Sequence, residues 1–527
     1  MSARVSVALV NPPDPVRGAD PAEQGPPPLG LCSIAAYLRA ADVRCDLFDL
    51  CAVDRLDDVA TTGLLDHDVV GITAYTKTIR SAIDVARWVK ARRPGTTVVL
   101  GGPHATPCAT ELLVAEPAVD VVVRNDGEAP MLALAEELAS GAPDLASVPS
   151  LTWRAHGTSV LGVRSNPGLS PPLALDDLPA PARDFVVEPV RDTTEWRRAA
   201  GPAPSAFVST SRGCPKRCTF CSIIVMNPRW RFRSVDHVMD ELRALDRAAP
   251  FGHVGILDAN FFVHAGRVRA FDAALAAWRP DVTWSSTATA DKVRANPDML
   301  AAIAPRCTFL EIGIESGSES VLARMGKRTT VADNIAAIEL LRANGIRLDL
   351  DFIMFDPWTT TAELAENLEF LRATELLGYL PADPVFNAVR IYPGTEVHER
   401  CVREFGLRPR HDMDVRPPFV HPEVATVHGA MARWRSRYLK EIQALAPRLA
   451  AAGTTRPADA QHGRSLSVRL RHLPYRLVEE LLACDPGTLA TADPGEVLDA
   501  LATTARTEAL LADARRLAGA VPEAVAS

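Results

Sequence analysis

Residues 212–221 read Arg212-Gly213-Cys214-Pro215-Lys216-Arg217-Cys218-Thr219-Phe220-Cys221, with three cysteines in a C-x-x-x-C-x-x-C spacing. That spacing brings three thiols within reach of one loop. Three thiolates can hold three irons of a four-iron, four-sulfur cluster and leave the fourth iron open for chemistry. Structural zinc asks instead for four closed ligands, commonly two C-x-x-C pairs or cysteines with paired histidines. No second pair follows here. The expected metal centre is therefore a 4Fe-4S cluster on Cys214, Cys218 and Cys221.

Outward from the loop, strand and helix signals alternate. Residues 206–210 form the predicted strand that feeds the cysteines, and 235–249 an amphipathic helix. Further strands are predicted at 254–257, 282–285, 309–314 and 348–354, with units recurring to about residue 395. Towards the N-terminus, the apolar run at residues 5–10 is stopped by Asn11-Pro12-Pro13 and reads as a buried strand. Pro28-Leu29-Gly30 opens a helix over 31–41. Strands follow at 45–50, 69–73, 97–100 and 118–123, with a helix at 79–92. Short apolar strands alternating with helices specify an α/β, doubly wound parallel sheet of about 140 residues. Ligands of such sheets bind outside the carboxyl ends of the strands. At those ends Gly101 and Gly102 permit close backbone approach, while Thr73, Thr76 and residues 125–128 offer polar groups around a rim.

The chain has 527 residues, 47% hydrophobic and 23% charged, enough for two or three domains. No uninterrupted apolar run of spanning length and no export signal are visible, so a cytoplasmic enzyme with no membrane partner is expected. Ten cysteines in a chain this long do not read as a disulfide framework. A net charge of -8 gives no overall attraction to nucleic acid, which leaves a small-molecule substrate as the expected partner.

With Arg212, Gly213, Pro215 and Phe220 around its cysteines, the loop resembles the cluster loop of the radical S-adenosylmethionine (SAM) enzymes. Asn11-Pro12-Pro13, Pro28-Leu29-Gly30-Leu31, Gly101-Gly102-Pro103-His104 and Asp126-Gly127-Glu128 look like the cobalamin-binding domain that precedes the barrel in one large subfamily. The resemblance implies a cobalamin-binding, Rossmann-like domain at 1–150, a proline-rich linker at 151–204, a partial (β/α)6 barrel at 205–400 and a C-terminal helical domain at 401–527. It implies cobalamin contacts from Pro12, Pro13, Thr73, Tyr75, Thr76, Lys77, Gly101, Gly102, Pro103, His104, Asn125, Gly127 and Glu128. For SAM it implies Phe220, Asp258, Asn260, Glu315 and Ser316, with a salt-bridged barrel carboxylate as the competing role for Glu315. No catalytic residue is assigned.

Three departures from the family pattern qualify this expectation. The signature D-x-H-x-x-G is missing: His67 stands near Gly71 at the wrong spacing and Leu65 occupies the aspartate's place. Cobalt without a histidine ligand is expected, with Ala74-Tyr75-Thr76-Lys77 beneath the corrin. Phe355-Asp356-Pro357-Trp358-Thr359-Thr360 replaces a Gly-x-Pro-Gly-Glu-Thr segment, and an arginine expected near 286–291 is absent. Substrate contacts are expected from 226–231, 355–360 and the helical extension. The arginine run over 464–476, including Arg469 and Arg471, either clamps an acidic substrate or, as the favoured reading, forms a solvated helix face.

The implied activity is methylation of an unactivated carbon, or phosphorus, of a natural-product intermediate such as an antibiotic precursor. SAM would serve both as methyl donor to cobalamin and as source of a 5'-deoxyadenosyl radical, with a flavodoxin-type or ferredoxin-type electron donor. The alternatives sharing these motifs are a non-methylating cyclisation, ring contraction or rearrangement, and a polar methylation without the radical.

Overall fold

The computed structural model describes residues 5–14, 25–155, 162–187, 204–377, 384–408, 418–451 and 457–519. Strand β1 (Val7–Asn11) is apolar on both faces, and its neighbours explain why. It pairs in parallel with β2 (Cys45–Asp49) and β3 (Val69–Thr73), and β4 (Thr97–Gly101) and β5 (Val121–Val123) continue the sheet beyond β3. Residues alternate between faces with period two. Val7, Leu9, Val69 and Val99 pack under helices Leu29–Ala40 and Glu128–Ala139. Ala8, Val10, Val70 and Val98 pack under Ile79–Arg92 and Ala109–Ala115. Each loop leaving a carboxyl strand end is thereby delivered to the same edge.

The proline-rich stretch expected to be a bare connection does more than connect. It supplies β6 (Leu151–Arg154), β7 (Val163–Ser165) and β8 (Phe185–Val187), giving an eight-stranded sheet in the order β7-β6-β5-β4-β3-β1-β2-β8. β6 and β7 run antiparallel, and β7 and β8 are the outer strands. Outer strands pair on one side only, so prolines close to them cost no ladder bond. Residues 188–203 of that stretch lie outside the described residues.

The cysteine loop starts from a second parallel sheet. Here β9 (Ser205–Val208) is followed by a two-stranded ribbon, β10 (Ser211–Arg212) with β11 (Arg231–Phe232), and then by β12 (His253–Ile256), β13 (Thr283–Ala288), β14 (Cys307–Glu315) and β15 (Arg347–Phe352). The sheet order β15-β14-β13-β12-β9 is sequential, and a parallel bridge from Phe355 to Ala388 extends it to a sixth position. The outward side chains Val254, Trp284, Leu310 and Leu348 lie in one core with helices Val235–Ala248, Ala265–Trp278 and Val331–Ala343. Trp434, Tyr438 and Leu477 of the C-terminal helices join that core, so the extension packs on the barrel. Arg464, Arg469, Arg471 and Arg476 are exposed, which matches the solvated-face reading. Among the described residues no helix is long and apolar enough to cross a membrane.

At the amino end of β12, His253 is fully buried between Thr283 Oγ1 and Ser285 Oγ, each 2.8 Å away. Burial, helped by the nearby Arg347 charge, lowers its pKa from 6.5 to about 4. Between those values the unfolded chain binds a proton that the folded chain refuses, so stability rises with pH and is lost as pH falls through the window. The full difference is about 3 kcal/mol. Urea unfolding of metal-free protein from pH 7 to 4 should therefore show a shallower loss for His253→Gln than for the wild type. Equal slopes would assign the pH dependence to other groups.

Candidate functional site

At the carboxyl ends of β1, β3, β4 and β5 the first sheet opens into a cleft of about 310 Å³. Its floor is apolar: Leu9, Gly71, Ile72, Val99, Val123 and Met131. Thr73, Tyr75, Gly101, Gly102, Pro103, Asn125, Gly127 and Glu128 form the rim, as the sequence predicts. Gly102 has φ +100, and a Cβ there would sit 3.1 Å from both the Ala74 carbonyl oxygen and Thr73 Oγ1. Only glycine keeps the rim low at that point. Tyr75 projects into the concavity and is 46% exposed, yet the walls around it push its phenol above the ordinary value.

Five expected cobalamin contacts do not line this cleft. His104 is fully buried with Nδ1 3.1 Å from Thr76 Oγ1, so that pair is turned into the domain. Lys77 is drawn aside by an ion pair with Asp14 at 2.6 Å. Pro12 and Pro13 lie outside the lining. His67, the histidine nearest to a cobalt-ligand signature, stands 3.1 Å from the Gly63 carbonyl oxygen through Nδ1 and 2.9 Å from Asp46 through Nε2.

The opposite wall of the cleft comes from the cysteine loop and the short helix after it: Arg212, Ser222, Ile223, Met226 and Asn227. Of the 226–231 segment expected to meet substrate, Met226 and Asn227 line this cleft. Phe355, Asp356 and Thr359 are instead buried, and Thr360 caps helix Thr361–Ala373. Asp356 pairs with Arg324. That segment is consumed in holding the barrel's last turn.

The loop itself is fixed at both ends. Asp258 accepts hydrogen bonds from Thr210 N (2.6 Å), Thr210 Oγ1 (2.5 Å), Ser211 N (3.0 Å) and Ser211 Oγ (2.6 Å). Gly213, at φ +83, lets the Arg229 carbonyl oxygen come within 2.6 Å of where a Cβ would stand. Between Cys218 and Cys221, Thr219 N donates to the Met325 carbonyl and Val397 N to the Thr219 carbonyl, both at 3.0 Å.

Four of the five expected SAM contacts have structural partners. Asp258 is committed to the loop entry. Phe220 packs with Ile391, Val397 and Cys401. Ser316 Oγ donates to Asn367 Oδ1 at 2.6 Å, and Glu315 Oε1 receives Lys327 Nζ at 3.0 Å. Glu315 therefore has the salt-bridge partner that its competing role requires. Asn260 differs: it is fully buried, its Nδ2 is 4.0 Å from Cys214 Sγ, and its Oδ1 has no partner. A buried amide oxygen left free beside a cysteine is what a polar ligand at the loop would satisfy.

All ten cysteines are free thiols, and Cys32, Cys45, Cys108, Cys307 and Cys401 are buried. Burial raises the Cys218 pKa despite nearby Lys327, and raises that of Cys221 to about 11. Among the described residues no three His, Cys, Asp or Glu side chains converge as a single metal ion would need. Thiolates that each take a different iron need not converge. The donor set fits a cluster better than zinc.

The sequence reading missed Lys327 and a group of carboxyls on the lumen side of β14 and β15. Glu311 stands opposite Asp349 in register, and Gly313 opposite Asp351. Desolvation by the surrounding barrel, then repulsion among these carboxyls, raises the pKa of Glu311 and of Asp351, although Asp351 remains exposed to the open lumen. Alternating Asp and Glu in Leu348-Asp349-Leu350-Asp351 and Leu310-Glu311-Ile312 was the available signal. It shows which side chains face inward but not that two strands align them.

Comparison with known proteins supports the same division. Residues 19–135 match the B12 binding domain and residues 208–371 the Radical SAM superfamily. An uncharacterized methyltransferase of Pyrococcus horikoshii is 31% identical over 71% of this chain and 78% of its own length. The anaerobic magnesium-protoporphyrin IX monomethyl ester cyclase of Rubrivivax gelatinosus is 26% identical over 66% of this chain and 62% of its own. Among solved structures, the cobalamin-dependent SAM radical enzyme OxsB with aqua-cobalamin and SAM bound superposes with TM-score 0.72 at 18% identity, covering 98% of this chain and 76% of that one. A cobalamin domain and a radical SAM domain meeting at one cleft define a two-cofactor enzyme. The chain belongs to the cobalamin-dependent radical SAM enzymes; its cofactors are cobalamin, SAM and a 4Fe-4S cluster.

Gly102→Ala forces an alanine into left-handed backbone and towards Thr73, at about 1–2 kcal/mol. We expect a lower thermal midpoint and weaker hydroxocobalamin binding in an absorbance titration. Wild-type values for both would mean that the rim can relax.

Proposed function

We propose that the enzyme is a methyltransferase acting on an unactivated carbon, or phosphorus, of a small-molecule natural-product intermediate. The observation that carries this reading is the shared wall: Ser222, Ile223, Met226 and Asn227, just after the cysteines, line the cobalamin cleft. A substrate between the two faces can meet both cofactors. The relative named as a methyltransferase supports methyl transfer in particular. When bound, the cluster with SAM supplies a carbon-centred radical and cobalamin supplies a transferable methyl group.

In this reading Cys214, Cys218 and Cys221 hold the cluster, and Asn260 offers its free amide oxygen to SAM. Tyr75, a neutral phenol at pH 7 whose pKa burial pushes further up, would meet the cofactor as an uncharged group. The apolar floor offers the bound group a surface of low polarity. Glu311 and Asp351, hydrogen-bonded to each other, can hold a proton in the barrel lumen near the substrate. A flavodoxin-type or ferredoxin-type protein supplies the electron.

The runner-up is a cyclisation or rearrangement without methyl transfer, favoured by the likeness to the ester cyclase. Anaerobic turnover with methyl-deuterated SAM and an extract of the source organism separates the two. A labelled small molecule is expected. Release of 5'-deoxyadenosine with a changed but unlabelled metabolite would favour the runner-up. Cys218→Ala should lose iron and sulfide and yield no 5'-deoxyadenosine; retained turnover would overturn the assignment of the cluster ligands.

A further inference from the structure

The rim of the cleft and the cysteine loop are bonded to each other. Arg212, two residues before Cys214, reaches Glu128 through Nη2 to Oε1 at 2.5 Å and Nη1 to Oε2 at 3.2 Å. Its Nη1 also lies 3.3 Å from Asp126 Oδ1, and Nη2 donates to Ser33 Oγ at 3.1 Å. Ser33 in turn donates to Glu128 Oε1 at 2.6 Å. Asp126 takes a second guanidinium, Arg231 of β11, at 2.5 Å. Beside them Asn125 Nδ2 donates to the carbonyls of Val225 and Met226 at 3.3 and 2.7 Å.

This joint is buried and strongly biased towards its charged form. Glu128 is 2% exposed. Burial pushes its carboxyl up, but the Arg212 charge and the hydrogen bonds from Arg212 and Ser33 outweigh that and leave it below its ordinary value. A buried charge pair of this kind is costly to separate, because either partner alone would be left uncompensated. Nor can the chain between Arg212 and the first cysteine absorb a shift. Gly213 is wedged under the Arg229 and Asn227 carbonyl oxygens, 2.6 and 2.9 Å from where its Cβ would be. Asn125, Asp126, Glu128 and Arg212 all line the cleft as well. A displacement of the rim must therefore be passed to the loop, and a displacement of the loop to the rim.

We propose that Arg212 is a positioning residue whose ion pairs with Glu128 and Asp126 couple occupancy of the cobalamin cleft to the geometry of the cysteine loop, so that loading either cofactor favours loading the other. The proposal rests on the cofactor assignments above but not on the identity of the reaction. Coupling of binding free energies is reciprocal, so it can be read from either side. An ion pair that merely glued the two sheets together would change both affinities without linking them.

The test is an absorbance titration of hydroxocobalamin into full-length protein, once with the cluster reconstituted and once after its removal by chelation. The wild type should bind about tenfold more tightly with the cluster in place. Glu128→Gln keeps an acceptor for Arg212 and Ser33 but loses the charge, and should bring that ratio close to one; Arg212→Lys should keep part of it. Asp126→Asn, on the partly exposed side of the joint, is the second variant should Glu128→Gln fail to fold, and should lower the ratio about threefold. A wild-type ratio of one, or an undiminished ratio in the folded variants, overturns the proposal. Failure of the wild type to bind hydroxocobalamin in either form would instead overturn the cleft assignment beneath it.

Discussion

The carboxylate of Asp258, at the end of β12, reaches across to the end of β9 and takes hydrogen bonds from two backbone amides and two hydroxyls of Thr210 and Ser211. Carboxylate hydrogen bonds are among the stronger in proteins, more so in a dry setting. Their effect is to decide where the chain leaves the sheet and in what direction. The ribbon of β10 with β11 follows at once, and Gly213 turns the chain into the cysteines under the backbone of Arg229. Without that anchor the three thiols would sit on a loop free to wander, and a cluster needs its ligands held in place. The resemblance to family relatives suggested a ligand contact for Asp258. The structure shows it holding the loop entry.

From that anchor the arrangement of the two halves follows. Both sheets are parallel, so both deliver their functional loops from carboxyl strand ends. The first sheet presents a shallow apolar floor with a polar rim; the second presents thiols, an amide and a lumen with several carboxyls. Electrostatics differ accordingly. In the cleft Arg212 pairs with Glu128 and Asp126 across the two halves, whereas in the lumen Glu311 and Asp351 lie close and each has a raised pKa. Lys327 stands between these zones, paired with Glu315 and close enough to Cys218 to favour its thiolate. Although burial alone would lower its pKa, the surrounding negative groups raise it.

Much of the fold was legible because its signals are local. Apolar runs stopped by Asn11-Pro12-Pro13 or Gly101-Gly102-Pro103 mark parallel strands and their loops, and the observed strands lie within a few residues of the predicted ones. The proline-rich stretch after residue 150 was read as connection alone, since three- and four-residue strands at a sheet margin carry too few side chains for period two to stand out. Within the site, Gly102, Tyr75 and Asn125 were found from loop position. Thr76 with His104, Lys77 with Asp14 and Ser316 with Asn367 were not separable from ligand contacts, because each partner is distant in sequence or only revealed by packing.

The sequence by itself determined the chemistry available to this protein: three thiols at one loop's spacing, glycines where a flat ligand must approach, and strand and helix periods that build two parallel sheets. Those properties depend on neighbours a few residues apart, which is the range over which backbone geometry and thiol reach act. Tertiary structure decided which polar groups remain free. Of the side chains that could have met SAM, most are turned to partners far along the chain, and Asn260 keeps an unsatisfied oxygen because none of the described residues donates to it. It also decided that Arg212 and Glu128, 84 residues apart, close on each other and tie one half to the other. Burial and pairing across such distances are set by packing, and no local pattern encodes them.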